Sequence, residues 1–227
     1  MCGRFQLSVK GKTISERFNV EVFDEKYKPS YNCAPGQFLP VITNAQPKEL
    51  QHFFWGFLPE WANAESSFKP LINSRAETVA DKPTFKKAFQ LRRCLVPANG
   101  FYEWKTDATK QPYRVFLKSE KLFAMAGIWS SSTQADGTIR HSFSILTTAA
   151  NKLMQDLHHR MPLILKPEEE KIWLFEQDTS KLKKLLKPPY DEELEKVPVS
   201  SRINAVKNDD ASLILPQEVQ RDLFSDI

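Results

Sequence analysis

The sequence predicts an α+β domain folded around a curved or barrel-like sheet, and three observations carry that prediction. Short runs rich in aromatic and β-branched residues recur at close spacing, each bounded by Pro, Asn, Asp or Gly. Helical patterns are interspersed among these runs. Seven glycines against 15 prolines imply stiff connections rather than flexible linkers. In chain order, residues 39–43 and 51–57 read as strands, followed by 93–97, 100–105, 113–117, 122–129 and 141–148. Helical patterns fall at 13–18, 84–90, 151–157, 167–175 and 180–186, with Pro83 and Pro167 suited to early helical positions. Lys187-Pro188-Pro189 has the character of a linker. Residues 197–199 return to a strand pattern, so a single domain over 1–227 is expected. Residues 191–196, acidic and basic by turns, read as solvated surface.

Composition bounds the function. The 227 residues suffice for a sizeable core, and 41% hydrophobic with 26% charged content is ordinary for a globular chain. No apolar run approaches the roughly 20 residues of a membrane span, and no signal peptide pattern opens the chain. No membrane association and a cytoplasmic location are expected. Three cysteines, widely spaced and odd in number, form neither a disulfide framework nor a zinc pattern. A net charge of +4 is compatible with a nucleic-acid partner without requiring one.

Cys2 follows the initiator methionine. Loss of Met1 would leave a 1,2-aminothiol, whose amine and thiol ordinarily titrate near pH ~8 and ~8.5. Aminothiols condense with aldehydes to a Schiff base and then a thiazolidine. Alone, Cys2 reads first as an ordinary residue at a frayed terminus.

Other clusters give it company. Asn73, Arg75 and Glu77 alternate, so on an extended segment they share a face. That face is either an exposed one with an Arg–Glu pair or an arginine fork aimed at phosphate beside an amide. Glu103 stands among Phe101, Tyr102 and Trp104, where desolvation would raise its pKa toward acid/base work; an exposed strand face is the alternative. His158 and His159 end a predicted helix before Arg160. They suit proton transfer beside a phosphate-binding arginine or helix C-capping. Adjacent histidines without a spaced third ligand argue against a metal. Trp61, with Trp55, is either buried packing or a platform for an unpaired base.

Taken in order, several motifs resemble one family, the SRAP (SOS response-associated peptidase) proteins. They are Met1-Cys2-Gly3-Arg4, Tyr31-Asn32-x-Ala34-Pro35, Trp55-Gly56, Asn73-x-Arg75-x-Glu77-Thr78 and Arg93-Cys94-Leu95-x-Pro97. Gly100-Phe101-Tyr102-Glu103-Trp104, Ala126-Gly127-Ile128-Trp129 and His158-x-Arg160-Met161-Pro162 complete the set. The similarity runs from about residue 2 to 210, leaving 211–227 as a C-terminal segment. Ser74, His159 and Cys33 depart from the residues common at their places. The resemblance implies a single SRAP-type domain with a mostly antiparallel, barrel-like sheet and peripheral helices. It implies a monomer that needs no cofactor and binds single-stranded DNA containing an abasic site. It then joins Cys2 to the ring-opened sugar as a thiazolidine, shielding the lesion. By motif, Cys2 resembles the nucleophile, Asn73 the orienting amide, Glu103 the acid/base and His158 a second proton-transfer group. Arg4, Arg75 and Arg160 resemble phosphate contacts, and Trp61 adds a DNA-stacking candidate. The family is also described as removing its own N-terminal extension, for which methionine removal would suffice here. Location at the nucleoid follows when DNA is bound. Two competing functions are an N-terminal-nucleophile cysteine peptidase or amidase and a non-covalent single-stranded nucleic-acid binder.

Overall fold

The structure, a computed structural model, describes residues 2–23, 25–62, 68–119, 121–187 and 193–218. In chain order its elements are β1 (Arg4–Leu7), α1 (Gly11–Phe18), β2 (Ser30–Cys33), β3 (Phe38–Thr43), β4 (Gln51–Trp55) and β5 (Asn73–Arg75). There follow α2 (Pro83–Leu91), β6 (Arg93–Ala98), β7 (Gly100–Trp104), β8 (Pro112–Leu117), β9 (Phe123–Thr133) and β10 (Ile139–Ala149). β11 (Arg160–Pro162), β12 (Ile164–Leu165), α3 (Pro167–Phe175), α4 (Thr179–Lys184) and β13 (Leu194–Pro198) complete the regular elements, before 3₁₀ turns at Ser201–Asn204 and Ala211–Ile214.

Strands β10, β4, β3, β6 and β9 follow one another in a sheet that closes where β9 pairs back onto β10. Closure removes exposed edges from this barrel. Its pairings are antiparallel except for β4 beside β10. The predicted α+β class with a mostly antiparallel barrel is the observed one. β5 and β11 extend β10 beyond the ring, and β12 extends β9. A second, wholly antiparallel sheet runs β13-β8-β7-β1-β2. The two sheets meet where Phe5 of β1 packs on Trp55 of β4, ring centroids 5.3 Å apart.

The barrel wall explains why β6 reads as a continuous apolar run, since all six of its residues are buried. Arg93 at its start is fully buried yet satisfied. Its guanidinium donates to carbonyls at the ends of α2 (Phe89, Gln90) and α3 (Trp173, Leu174, Glu176). One cation thus caps two helix C-termini, where carbonyls lack intrahelical donors. Burial still lowers its pKa to about 10. Gly127 on β9 permits close approach to β6: a Cβ there would stand 2.7 Å from the Cys94 sulfur.

The helix expected over 151–157 is absent; the segment is a chain of turns. Antiparallel pairing sets Ala149 opposite Arg160, and the Ala150 N–H donates to the His159 carbonyl at 3.0 Å. Both ends of the segment are therefore pinned side by side. The Asn151 side chain tightens the start by accepting from the Met154 N–H at 3.1 Å. The surface expected over 191–196 is partly overturned as well. Leu194 is buried and pairs with Leu117, while residues 191–192, like Pro188 and Pro189 of the expected linker, lie outside the described residues.

Candidate active site

The site is assembled where the two sheets meet. β1 pairs with β7 in a register that sets Arg4 opposite Tyr102 and Phe5 opposite Phe101. Extending that antiparallel ladder by one step sets Gly3 opposite Glu103. Cys2 follows, wholly buried, its thiol facing the Arg4 carbonyl at 3.8 Å. From the barrel side, β5 brings Asn73, whose Nδ2 donates to the Cys2 carbonyl at 2.9 Å. The Asn73 Oδ1 is buried with no hydrogen-bond partner among the described residues. Cys2 is therefore held in place, not frayed. A β-ladder holds one side of it and an amide the other.

Electrostatics follow from burial. Burial, and then the charge of Glu103, push the Cys2 thiol far above its ordinary value, so it stays protonated in the resting site. Glu103 is 3% exposed. Burial raises its carboxyl above the usual range, against the pull of the positive chain terminus. His158 moves the other way: burial first, then the same positive terminus, then His159, hold it below its ordinary value. The His158 ring stacks on His159 with centroids 4.3 Å apart. Its Nδ1 lies 2.9 Å from the Arg160 N–H and 3.3 Å from the Arg160 carbonyl oxygen. The shorter contact is to a donor, so Nδ1 accepts and the ring proton sits on Nε2.

The arginines divide. Arg75 ends β5 exposed to solvent. Arg4 is half-buried, its pKa lowered by burial, and donates to the Gly3 carbonyl at 2.9 Å. Arg160 is already engaged: its fork grips Glu77 bidentately at 2.6 and 2.9 Å and also reaches the Thr147 carbonyl. The Arg–Glu pair read from the alternation thus joins Glu77 to Arg160, across the sheet, rather than to Arg75. Thr147 is the residue the sequence reading passed over, and Glu77 it assigned no partner other than a neighbouring arginine. The 73-75-77 alternation pointed at Glu77, but its partner lies 83 positions away along the chain.

Trp61 stands apart. It is 62% exposed and packs edge-on against Phe68, centroids 5.1 Å apart. The shallow cavity it lines includes Lys87, Arg92 and Ser130. Ser130 pairs with Ser142 of β10, whereas Asn73 pairs with Ile145; that interval is about 10 Å at ~3.3 Å per residue. Cys2, Asn73 and Glu103 are brought together, His158 stands near the same chain terminus, and Trp61 is outside their group. Among the described residues, no three His, Cys, Asp or Glu side chains converge as a metal site.

A barrel with an appended sheet that buries Cys2, the second residue of the chain, between an asparagine and a glutamate defines a class of protein. The family model for SRAP, SOS response associated peptidase, matches residues 1–206, and the chain belongs to that family. A Bacillus subtilis abasic site processing protein, YoqW, is 42% identical over 94% of this chain and 99% of its own length. The Escherichia coli abasic site processing protein YedK is 31% identical over 95% of this chain and all of its own. A solved structure of a Bacteroides thetaiotaomicron protein superposes with a TM-score of 0.87 at 28% identity, covering 96% of this chain and 100% of its own.

Proposed function

We propose that this protein processes abasic sites in single-stranded DNA by covalent capture, Cys2 supplying both amine and thiol once Met1 is removed. The observation that carries this reading is the convergence on Cys2 of a buried carboxyl and an orienting amide. Its relatives' names, abasic site processing protein, supply the substrate class.

The chemistry follows from the burial pattern. The α-amine of Cys2 attacks C1′ of the ring-opened sugar, forming a C–N bond and a carbinolamine. Loss of its hydroxyl requires a proton, and Glu103, its pKa raised by burial, holds one nearer neutral pH than a free carboxyl would. Water leaves and an imine forms. The thiol then adds to the imine carbon. Burial keeps it protonated, so ring closure needs a base, and the Glu103 carboxylate just formed takes that proton. One water is released overall, and Glu103 is regenerated. Because amine and thiol sit on one residue, closure is intramolecular and fast. Asn73 fixes the Cys2 carbonyl and so the direction of the amine; His158, neutral with its proton on Nε2, serves as a second proton shuttle. Arg75, exposed beside Asn73, contacts the flanking phosphate, with Arg4 and Arg160 nearer the lesion and Trp61 farther along the strand. A peptidase acting on other chains would need a thiolate, which the burial of Cys2 opposes.

The test is a denaturing gel with tag-free protein and single-stranded oligonucleotides, with and without one abasic site. A heat-stable shift confined to the lesion-bearing strand is expected. Lesion-independent, salt-sensitive binding alone would overturn the reading.

A further inference from the structure

We infer that Glu77 is a positioning residue for His158, acting through Arg160; the inference rests on the proposed function above. Three alternate residues of one segment have three tasks. Asn73 holds the Cys2 carbonyl, Arg75 faces solvent, and Glu77 holds Arg160. The Glu77 carboxylate accepts both prongs of the Arg160 fork, and the Thr147 carbonyl on β10 accepts from the same guanidinium. Arg160 therefore ties the segment after β5 to β10 and to its own strand β11. Its side chain is 12% exposed, against 49% for Glu77, so the carboxylate covers the outer edge of the fork. The backbone of this same residue sets His158, because the Arg160 N–H donates to Nδ1.

The consequence is a fixed tautomer. With the Arg160 backbone held, Nδ1 is committed as an acceptor and Nε2 keeps the proton. With the backbone released, the ring can turn and the proton can sit on either nitrogen. The titratable and charged groups facing His158 are the terminal amine (on Met1 until its removal), His159 and Arg160. Burial and these groups disfavour the imidazolium, against the Arg160 backbone contact, which favours it; a neutral ring of defined tautomer is the form the clamp preserves. The pair also joins the two halves of the site, since the segment that orients Cys2 through Asn73 is the one that orients His158 through Glu77.

The test compares Glu77→Gln and Glu77→Ala with the parent protein, each free of Met1, using two readouts. Nitrogen NMR of the His158 ring without DNA reports the tautomer. The parent is expected to show a single Nε2–H form and both variants a mixture. Crosslinking rate and affinity for lesion-free single-stranded DNA are then measured separately. The rate should fall about tenfold or more, as for a displaced catalytic group, while affinity changes less than about twofold. An unaltered tautomer in Glu77→Ala would overturn the inference, as would a loss of affinity that accounts for the whole loss of rate. Were the parent protein itself unable to crosslink, the proposed function would fail, while the NMR comparison would still judge the clamp.

Discussion

Glu103 and Glu170 are both buried glutamates whose carboxyls burial pushes upward, yet they occupy opposite situations. Glu170, on α3, is met by the Arg17 guanidinium at two points, 3.0 and 2.5 Å. Its charge is answered permanently by a side chain of α1, and it ties two helices together. The charge that answers Glu103 is the terminal α-amine, which stands on Met1 here and which removal of Met1 would move to Cys2, the amine that must lose its proton in the proposed reaction. The contrast shows how one fold makes one buried acid structural and another reactive. A fixed guanidinium never deprotonates, whereas an amine can give up its charge and leave the carboxyl holding a transferable proton.

The largest effect belongs to the nucleophile. Cys2→Ala should lose all heat-stable crosslinking and retain only a reversible adduct trapped by borohydride, as read on denaturing gels. Glu103→Gln comes next. Crosslinking should slow about a hundredfold, within the usual range for a lost acid/base group, measured as single-turnover rate. Its stability should move the other way. Because the folded carboxyl titrates above its unfolded value, the folded state holds more protons, and stability falls as pH rises from the unfolded toward the folded pKa. The glutamine variant, lacking that titration, should be at least as stable as the parent above this window in thermal melts. Glu170→Ala inverts the pattern: a loss of about 2 kcal/mol in urea unfolding, below the full figure for a buried pair because Arg17 is partly exposed, with crosslinking unchanged. The smallest effect belongs to Arg75→Ala, which should weaken single-strand binding a few-fold and reduce the salt slope by roughly 0.7.

The Glu103 side of this contrast was legible from residue order, because it is local; the Glu170 side was not, since Arg17 lies 153 positions away along the chain. The aromatic run around Glu103 marked it as a residue of an inner strand, and its burial follows from β7 lying between β1 and β8; Tyr102 and Trp104 themselves point to the other face and pack in a separate cluster. The barrel strands carried strong β-branched and aromatic patterns over five or more residues. What escaped notice was made by distant pairings. β5 is only three residues long, and its place beside β10 cannot be inferred from three side chains. Glu77 invited a partner two positions away and found Arg160 instead. Residues 151–157 have helical periodicity, but the β10–β11 pairing overrides local preference and folds them into turns. Trp61 was plausible as a stacking platform by residue type, and only the register along β10 separates it from Cys2.

The most direct measurement is the intact mass of the product formed by tag-free, Met1-less protein with an abasic single-stranded oligonucleotide. One species is expected at the summed masses less one water, unchanged by borohydride because the imine has closed to a thiazolidine. A product whose mass rises by two hydrogens under borohydride would mean that the adduct stops at the imine. Absence of any adduct would contradict covalent capture altogether.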